Sequence, residues 1–333
     1  MDNIEKLYGE WLSLQPLKEE DSIRLNQKFM LEFNYNSNHM EGNTLTYGQT
    51  ELLLLFGKVI GEANMKDLEE MKAHNVGLKM MQVEAAEKIH PLTETFIRQL
   101  HHTLLREDYT VYRRLPDGTT TSYVIHAGCY KTRPNSVITV TGQSFEYASP
   151  EETPALMNDL VQWYNKAEVA GEMSPIELAA VFHYRYIRIH PFEDGNGRIA
   201  RLMVNYILSR HNYPMIVIKT KDKANYLRAL SAADAAVGSI PAEGAKASFG
   251  QIKPFINYMK HVLEEELDIG LKIIHRHSGK LWYMNGEVIL FRRPVTEKII
   301  EQISSNPKIT VRELSDALTI NKSAVQKEIK ELQ

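Results

Sequence analysis

His190-Pro191-Phe192-Glu193-Asp194-Gly195-Asn196-Gly197-Arg198-Ile199-Ala200-Arg201 places an imidazole, a carboxylate, a glycine-rich turn and two arginines within a dozen residues. The segment before it, Ser174 to Ile189, carries a serine cap, a proline at the first turn and apolar residues at helical spacing. Pro191 disfavours helical geometry at His190, so the helix should give out there. From Arg198 to Arg210 the helical pattern resumes, with Ile199, Leu202, Met203, Tyr206 and Ile207 forming an apolar stripe. Between the helices, Gly195 and Gly197 can adopt positive φ and bare their N–H groups where the next helix directs its positive dipole end. An anion belongs at such a place. Arg198 and Arg201, three apart, are suited to fork onto phosphate oxygens, and Asp194 is an oxygen ligand suited to Mg²⁺ alongside a nucleotide's own phosphates. His190 is a general-base candidate near neutral pH.

The same string resembles the signature of the Fic family, HxFx(D/E)GNGRxxR, with every specified position filled by His190, Phe192, Asp194, Gly195, Asn196, Gly197, Arg198 and Arg201. Phe192 reads as a buried anchor for the loop. The resemblance extends to Phe96–His101, similar to an early core helix, to Met157–Tyr164, similar to the next one, and on to about Pro214, covering roughly residues 95–235. It implies an AMP transferase. ATP·Mg²⁺ would lie over Gly195, Asn196 and Gly197, with Asp194 on the metal and Arg198 and Arg201 on phosphate oxygens. His190 would take the proton from a Ser, Thr or Tyr hydroxyl of a target protein, or of the chain itself. Positioning and charge stabilisation would supply much of the acceleration.

Upstream, Ser22–Met40 reads as a helix stopped by Gly42. Its end, Ser37-Asn38-His39-Met40-Glu41-Gly42, resembles the inhibitory (S/T)xxxE(G/N) motif of regulated Fic proteins. That resemblance implies a brake in which Glu41 pairs with Arg201 and obstructs the γ-phosphate, with Ser37 and Gly42 completing the motif. A carboxylate there neutralises a phosphate-binding charge and repels ATP.

The β-branched runs Thr119–Ile125 and Val137–Val140 suit one small hairpin in an otherwise helical protein. The family likeness makes Val137, Ile138, Thr139 and Val140 a flap that registers the target by edge-strand pairing. Beyond the signature, Tyr226, Leu230 and Asp234 follow one another by single helical turns and resemble the segment bordering the adenine.

At 333 residues the chain has room for two or three domains. A net charge of −3 gives no polyelectrolyte signature for nucleic acid or membrane. Its single cysteine, Cys129, precludes an internal disulfide framework and suits a reducing compartment. Met1–Glu5 lacks the basic and apolar regions of a signal peptide, and no stretch approaches a membrane span, so the expected location is cytoplasmic. Small residues and glycines from Ala235 to Gly250 read as a loop, and helical periodicity returns from Ile252 to Ile274. In residues 295–333, two short amphipathic segments capped by Thr310 and Asn321 look like a winged-type helix-turn-helix, with Ser323, Gln326 and Lys327 facing a partner. Weak cationic balance leaves DNA contact and protein contact or homodimerisation both open.

The fold expected is mainly α: a Fic-type helical core with a small β-hairpin flap, plus a C-terminal winged-helix-like helix-turn-helix. The expected divisions are 1–90, an N-terminal helical region with the inhibitory motif; 91–235, the catalytic core; 236–290, a helical connector; and 291–333, the terminal module. Other readings of the same residues are removal of AMP from a modified protein, transfer of another phosphate-containing group, and a DNA-binding regulator whose core senses nucleotide.

Overall fold

The computed structural model describes residues 3–114, 118–138, 144–275, 281–284, 287–290, 294–306 and 309–331. The polypeptide is mainly helical. Five helices come first: α1 (Asn3–Ser13), α2 (Glu19–His39), α3 (Tyr47–Phe56), α4 (Met65–Ala86) and α5 (Glu94–Leu105). Strands β1 (Tyr109–Arg114), β2 (Thr120–Ile125), β3 (Ser136–Ile138) and β4 (Ser144–Glu146) follow, then α6 (Thr153–Ala170), α7 (Pro175–Ile189), α8 (Asn196–Arg210), α9 (Lys223–Val237), α10 (Pro241–Gly244) and α11 (Lys253–His275). The chain ends with β5 (Leu281–Met284), β6 (Glu287–Leu290), α12 (Pro294–Ser305), α13 (Val311–Leu318) and α14 (Lys322–Glu331). Two compact units result, Met1–Asp268 and Ile269–Gln333.

In the first unit α8 is the central element. The sequence predicts a single apolar stripe, yet α8 is enclosed on nearly every side, including Asn196, Arg198, Arg201, Asn205 and Arg210. Asn196, Arg201, Asn205 and Arg210 each meet an acceptor or donor, which is the condition for burying them, whereas Arg198 keeps a buried Nε without one among the described residues. Asn205 exchanges bonds with both the N–H and C=O of Ile216, at 2.8 and 3.0 Å. Arg210 donates to Glu168 and to the carbonyls of Glu87 and Lys88. Close approach of α4 is possible because residue 77 is glycine: a Cβ there would meet Leu104 Cδ2 at 3.3 Å and Leu202 Cδ1 at 3.7 Å.

Helix α7 begins as predicted, in a capping box in which the Ser174 N–H donates to Glu177. The β-branched runs behave differently from expectation. Among the described residues, β2 pairs antiparallel with β1 and not with Val137 and Ile138, while β3 pairs with β4 through Val137↔Phe145 and Ile138↔Ser144. Tyr109–Arg114 was the unrecognised partner. Its aromatic and β-branched alternation ends in two arginines, which hid it, but the immediate neighbour in sequence wins the pairing because it closes the shorter loop. Of the flap residues, Val137 and Ile138 lie in β3; Thr139 and Val140 lie outside the described residues.

The stretch from Ala235 to Gly250 is only partly loop, since α9 runs to Val237 and α10 supplies one further turn. Gly244 of that turn lies against the buried Arg188 side chain, where any Cβ would collide with the guanidinium. In the second unit, β5 and β6 form an antiparallel hairpin, and α13 and α14 are joined by a short turn with Thr319 in the left-handed region. Ile299, Leu314 and Val325 form its apolar centre, and Thr310 caps α13 as expected.

Leu202→Ala should lower stability by about 2–5 kcal/mol, read as a lower urea midpoint with an unchanged slope. Leu227→Ala, at a site 44% exposed, should shift it by less than about 0.5 kcal/mol.

Candidate active site

The signature loop is bracketed by two left-handed residues. His190 caps α7 at φ 50°, and Gly195 caps α8 at φ 76°. For histidine this conformation is costly, so the surroundings must hold it. They do so through a dense set of bonds. The Lys131 N–H donates to Pro191 O at 2.8 Å, and the Asn196 side chain accepts from the Phe192 N–H and donates to Phe192 O. Phe192 is fully buried and stacks face to face on His101 at 3.7 Å, the anchor its place in the string suggested.

His190 is gripped at Nδ1. Asn135 and Asn196 each turn Nδ2 toward it, at 2.9 and 3.1 Å. The Tyr147 ring lies flat over the imidazole, 4.0 Å between centroids. Burial first, and then the Lys131 ammonium, push His190 down to about 3 against a smaller opposing effect of Asp194, so it is neutral at physiological pH. Burial likewise brings Lys131 down to about 8; its ammonium donates to Asn135 Oδ1 and to Ile189 O.

Asp194 is more tightly tied than its position in the sequence suggests. One oxygen accepts from the Gly195 N–H, and the other from the Tyr109 hydroxyl at 2.7 Å, with Arg198 Nη2 at 3.5 Å. Burial alone would raise its pKa; Arg198, Tyr109 and Gly195 outweigh it and hold the carboxyl below the usual range. Behind the loop, His101 accepts from the Gly128 N–H at Nδ1, and its Nε2 lies 3.1 Å from Asp194 O. Tyr109, Asn135, Lys131, Tyr147 and His101 escaped the sequence reading. None stands at a recognisable spacing from the loop, because they arrive from α5, β1 and the connections on either side of the β3–β4 hairpin.

Arg198 and Arg201 flank the glycine turn on opposite sides. Arg198 leans toward Asp194, and its Nε has no hydrogen-bond partner among the described residues. Arg201 points to α2: Nη2 meets Glu41 Oε1 at 2.6 Å and Ser37 O at 2.8 Å, and Nε donates to Ser37 Oγ at 3.0 Å. The guanidinium is 5% exposed and the Glu41 side chain 40%. Glu41 also packs against Gly197 so closely that a Cβ there would collide with its carboxylate. An acidic side chain thus lies at the positive end of α8, beside the backbone that an anion would approach. Gly42, at φ 97°, turns the chain away after it.

Tyr226, Leu230 and Asp234 lie along α9 at different depths. Tyr226 is buried among Phe255, Tyr258 and His183, its hydroxyl 3.1 Å from His183 Nε2. Asp234 accepts from the Tyr184 hydroxyl and pairs with Arg188 at 3.2 Å, while Leu230 is half-buried. Asn196 places its side chain wholly inside the loop, so what it can offer an anion is its main-chain N–H.

The helical core delivers a histidine and two arginines around the N-terminus of its central helix. The Fic/DOC family profile matches residues 91–208. A crystal structure of a Fic domain containing signaling protein from Bacteroides thetaiotaomicron VPI-5482 is 56% identical, spans 83% of this chain and 98% of that one, and superposes with a TM-score of 0.77. Fic-1 from C. elegans is 25% identical over 81% of this chain and 69% of that one, with a TM-score of 0.61. Protein adenylyltransferase fic-1 of Caenorhabditis briggsae is 27% identical over 76% of this chain, and protein adenylyltransferase Fic of Nematostella vectensis 26% identical over 70%. The chain spans less than half the length of these two relatives, 43% and 47%. The chain belongs to the Fic/DOC family.

The buried neutral histidines give an acid-sensitivity with a definite sign. His101 sits at about 4 and His183 at about 3, both lowered chiefly by burial. Between those values and the ordinary 6.5 the unfolded chain binds more protons, so stability present above pH 6.5 is lost as pH falls, by about 1.4 kcal/mol per pH unit per group. The urea midpoint should drop between pH 7 and pH 5, and drop less in His183→Gln. Equal drops would remove His183 from the account.

Proposed function

We propose that the chain is an adenylyltransferase that moves AMP from ATP to a Ser, Thr or Tyr hydroxyl of a protein and that Glu41 restrains it. The observation that carries this reading is the joining of His190 and an anion site in one loop. Arg198 and Arg201 flank the Gly195–Gly197 turn, and Arg198 keeps an unused buried donor. The adenylyltransferase names of the relatives support the same class of reaction.

ATP phosphates would lie over the Gly195–Gly197 turn on the N–H groups of Asn196 and Gly197, with Arg198 forking onto their oxygens. The target hydroxyl would give its proton to His190, its oxygen would form a bond to the α-phosphorus, and the bond from that phosphorus to pyrophosphate would break. Asp194 suits a hard cation: it is an ionised, partly exposed oxygen donor, and Mg²⁺ takes one or two carboxylates with the remainder from phosphates and water. When bound there, Mg²⁺ would neutralise phosphate charge. Asp194 itself would be kept in place by Tyr109 and Gly195.

Glu41 opposes this arrangement in two ways. It holds Arg201, which would otherwise reach the γ-phosphate, and it places negative charge against Gly197. The same half-exposed carboxylate would orient water in the reverse process, hydrolytic removal of AMP. In the second unit, Ser323, Gln326 and Lys327 are all exposed on α14 and would meet a partner there.

Glu41→Gly should raise transfer of label from α-labelled ATP by at least roughly tenfold, about 1.4 kcal/mol in barrier. No rise over the parent would sink the brake. In that background His190→Ala should cut transfer by roughly 100- to 10,000-fold while ATP still binds. Release of AMP from a pre-modified target by the parent, but not by Glu41→Gly, would establish the reverse activity instead.

A further inference from the structure

We propose that Asn135, held by Lys131, is a positioning residue that fixes which nitrogen of His190 carries the proton, and so forms a restraint on the histidine separate from the one Glu41 places on Arg201. The inference rests on the reading of His190 as the base.

Both amides facing the imidazole are oriented by independent bonds. Asn196 takes the Phe192 N–H on Oδ1, so its Nδ2 must face His190. Asn135 takes the Lys131 ammonium on Oδ1 at 2.8 Å and donates Nδ2 to Phe192 O at 3.0 Å and to His190. Two N–H donors converge on Nδ1, so Nδ1 carries the lone pair. A neutral imidazole then has its proton on Nε2. That tautomer has no lone pair at Nε2 to receive the proton of a hydroxyl. For Nε2 to act as base, the imidazole proton must move to Nδ1 and an acceptor must replace a donor there.

Asn135 is the residue able to supply it. Turning its amide over presents Oδ1 to Nδ1–H and brings Nδ2 to Lys131. An ammonium opposes this turn, having no lone pair, whereas a neutral amine accepts as readily as it donates. Lys131 is 3% exposed and titrates near 8, so the obstacle weakens within an accessible pH range. The other groups around the imidazole do not substitute for this control. Tyr147 stacks on the ring face, and Asp194 acts on it only through space.

The side-chain ¹⁵N spectrum of the full chain with ¹⁵N-histidine tests the inference, His190 being assigned by its loss in His190→Ala. At neutral pH, Nδ1 should resonate as an unprotonated nitrogen and Nε2 as a protonated one. Asn135→Asp keeps an acceptor for Lys131 and adds one for Nδ1–H, so the pattern should invert. Lys131→Met frees the amide and should move the pattern the same way. In the Glu41→Gly background, transfer should rise with pH through about 8, and that limb should disappear in Lys131→Met. Asn135→Asp should raise the neutral-pH rate by roughly tenfold, about 1.4 kcal/mol. A protonated Nδ1 in the parent, or a pattern unchanged in both variants, overturns the inference. A pattern that inverts while no variant transfers AMP leaves the tautomer control standing and removes the proposed activity.

Discussion

A guanidinium taken out of water must be met by acceptors, and the first unit is organised around meeting one. Arg201 sits on the most enclosed helix of the fold, and its acceptors come from the last turn of α2. To bring them there, α2 carries an unusual load of buried polar residues. Asn36 accepts from the Thr220 N–H, Met40 O from Lys223, and His74 of α4 bridges Asn34 and Ser37. Each bond compensates a buried group that would otherwise cost roughly 1–3 kcal/mol. The helix that leads to Glu41 is therefore part of the core, while the Glu41 side chain itself stays 40% exposed.

This placement separates two kinds of motion. Displacing the whole of α2 would strand Arg201 and Asn36 together, whereas swinging the Glu41 side chain leaves the Ser37 bonds to Arg201 in place. A brake of the kind proposed belongs to the second, cheaper class. The loop from His190 to Arg201 follows the opposite principle: two left-handed residues and the clamp on Phe192 leave it few alternatives.

How much of this the sequence disclosed depended on whether a feature was local. The loop from His190 to Arg201 encodes its own turn, caps and flanking helices, so its elements were readable to within a residue or two. The pairing of Glu41 with Arg201 was legible only through the likeness of Ser37–Gly42 to a known motif, since nothing local to Glu41 names its partner. Other partners supplied through space were not. Tyr109 and Asn135 reach Asp194 and His190 from the hairpins, and the pairing of those hairpins was misassigned because β-branched runs declare strand character without declaring a partner. For Tyr226 and Asp234 the spacing on α9 is legible, but spacing does not reveal that His183 and Arg188 engage them.

Gly197 has a last consequence, one for variation among relatives rather than for the single molecule. The absence of its side chain serves the close passage of Glu41 and, on the function proposed, the close passage of a phosphate as well. Positions 41 and 197 are thus not independent letters. A lineage that lost the acidic residue would relax one of the two demands on the glycine and keep the other, while one that replaced the glycine first would have to move its glutamate in the same step.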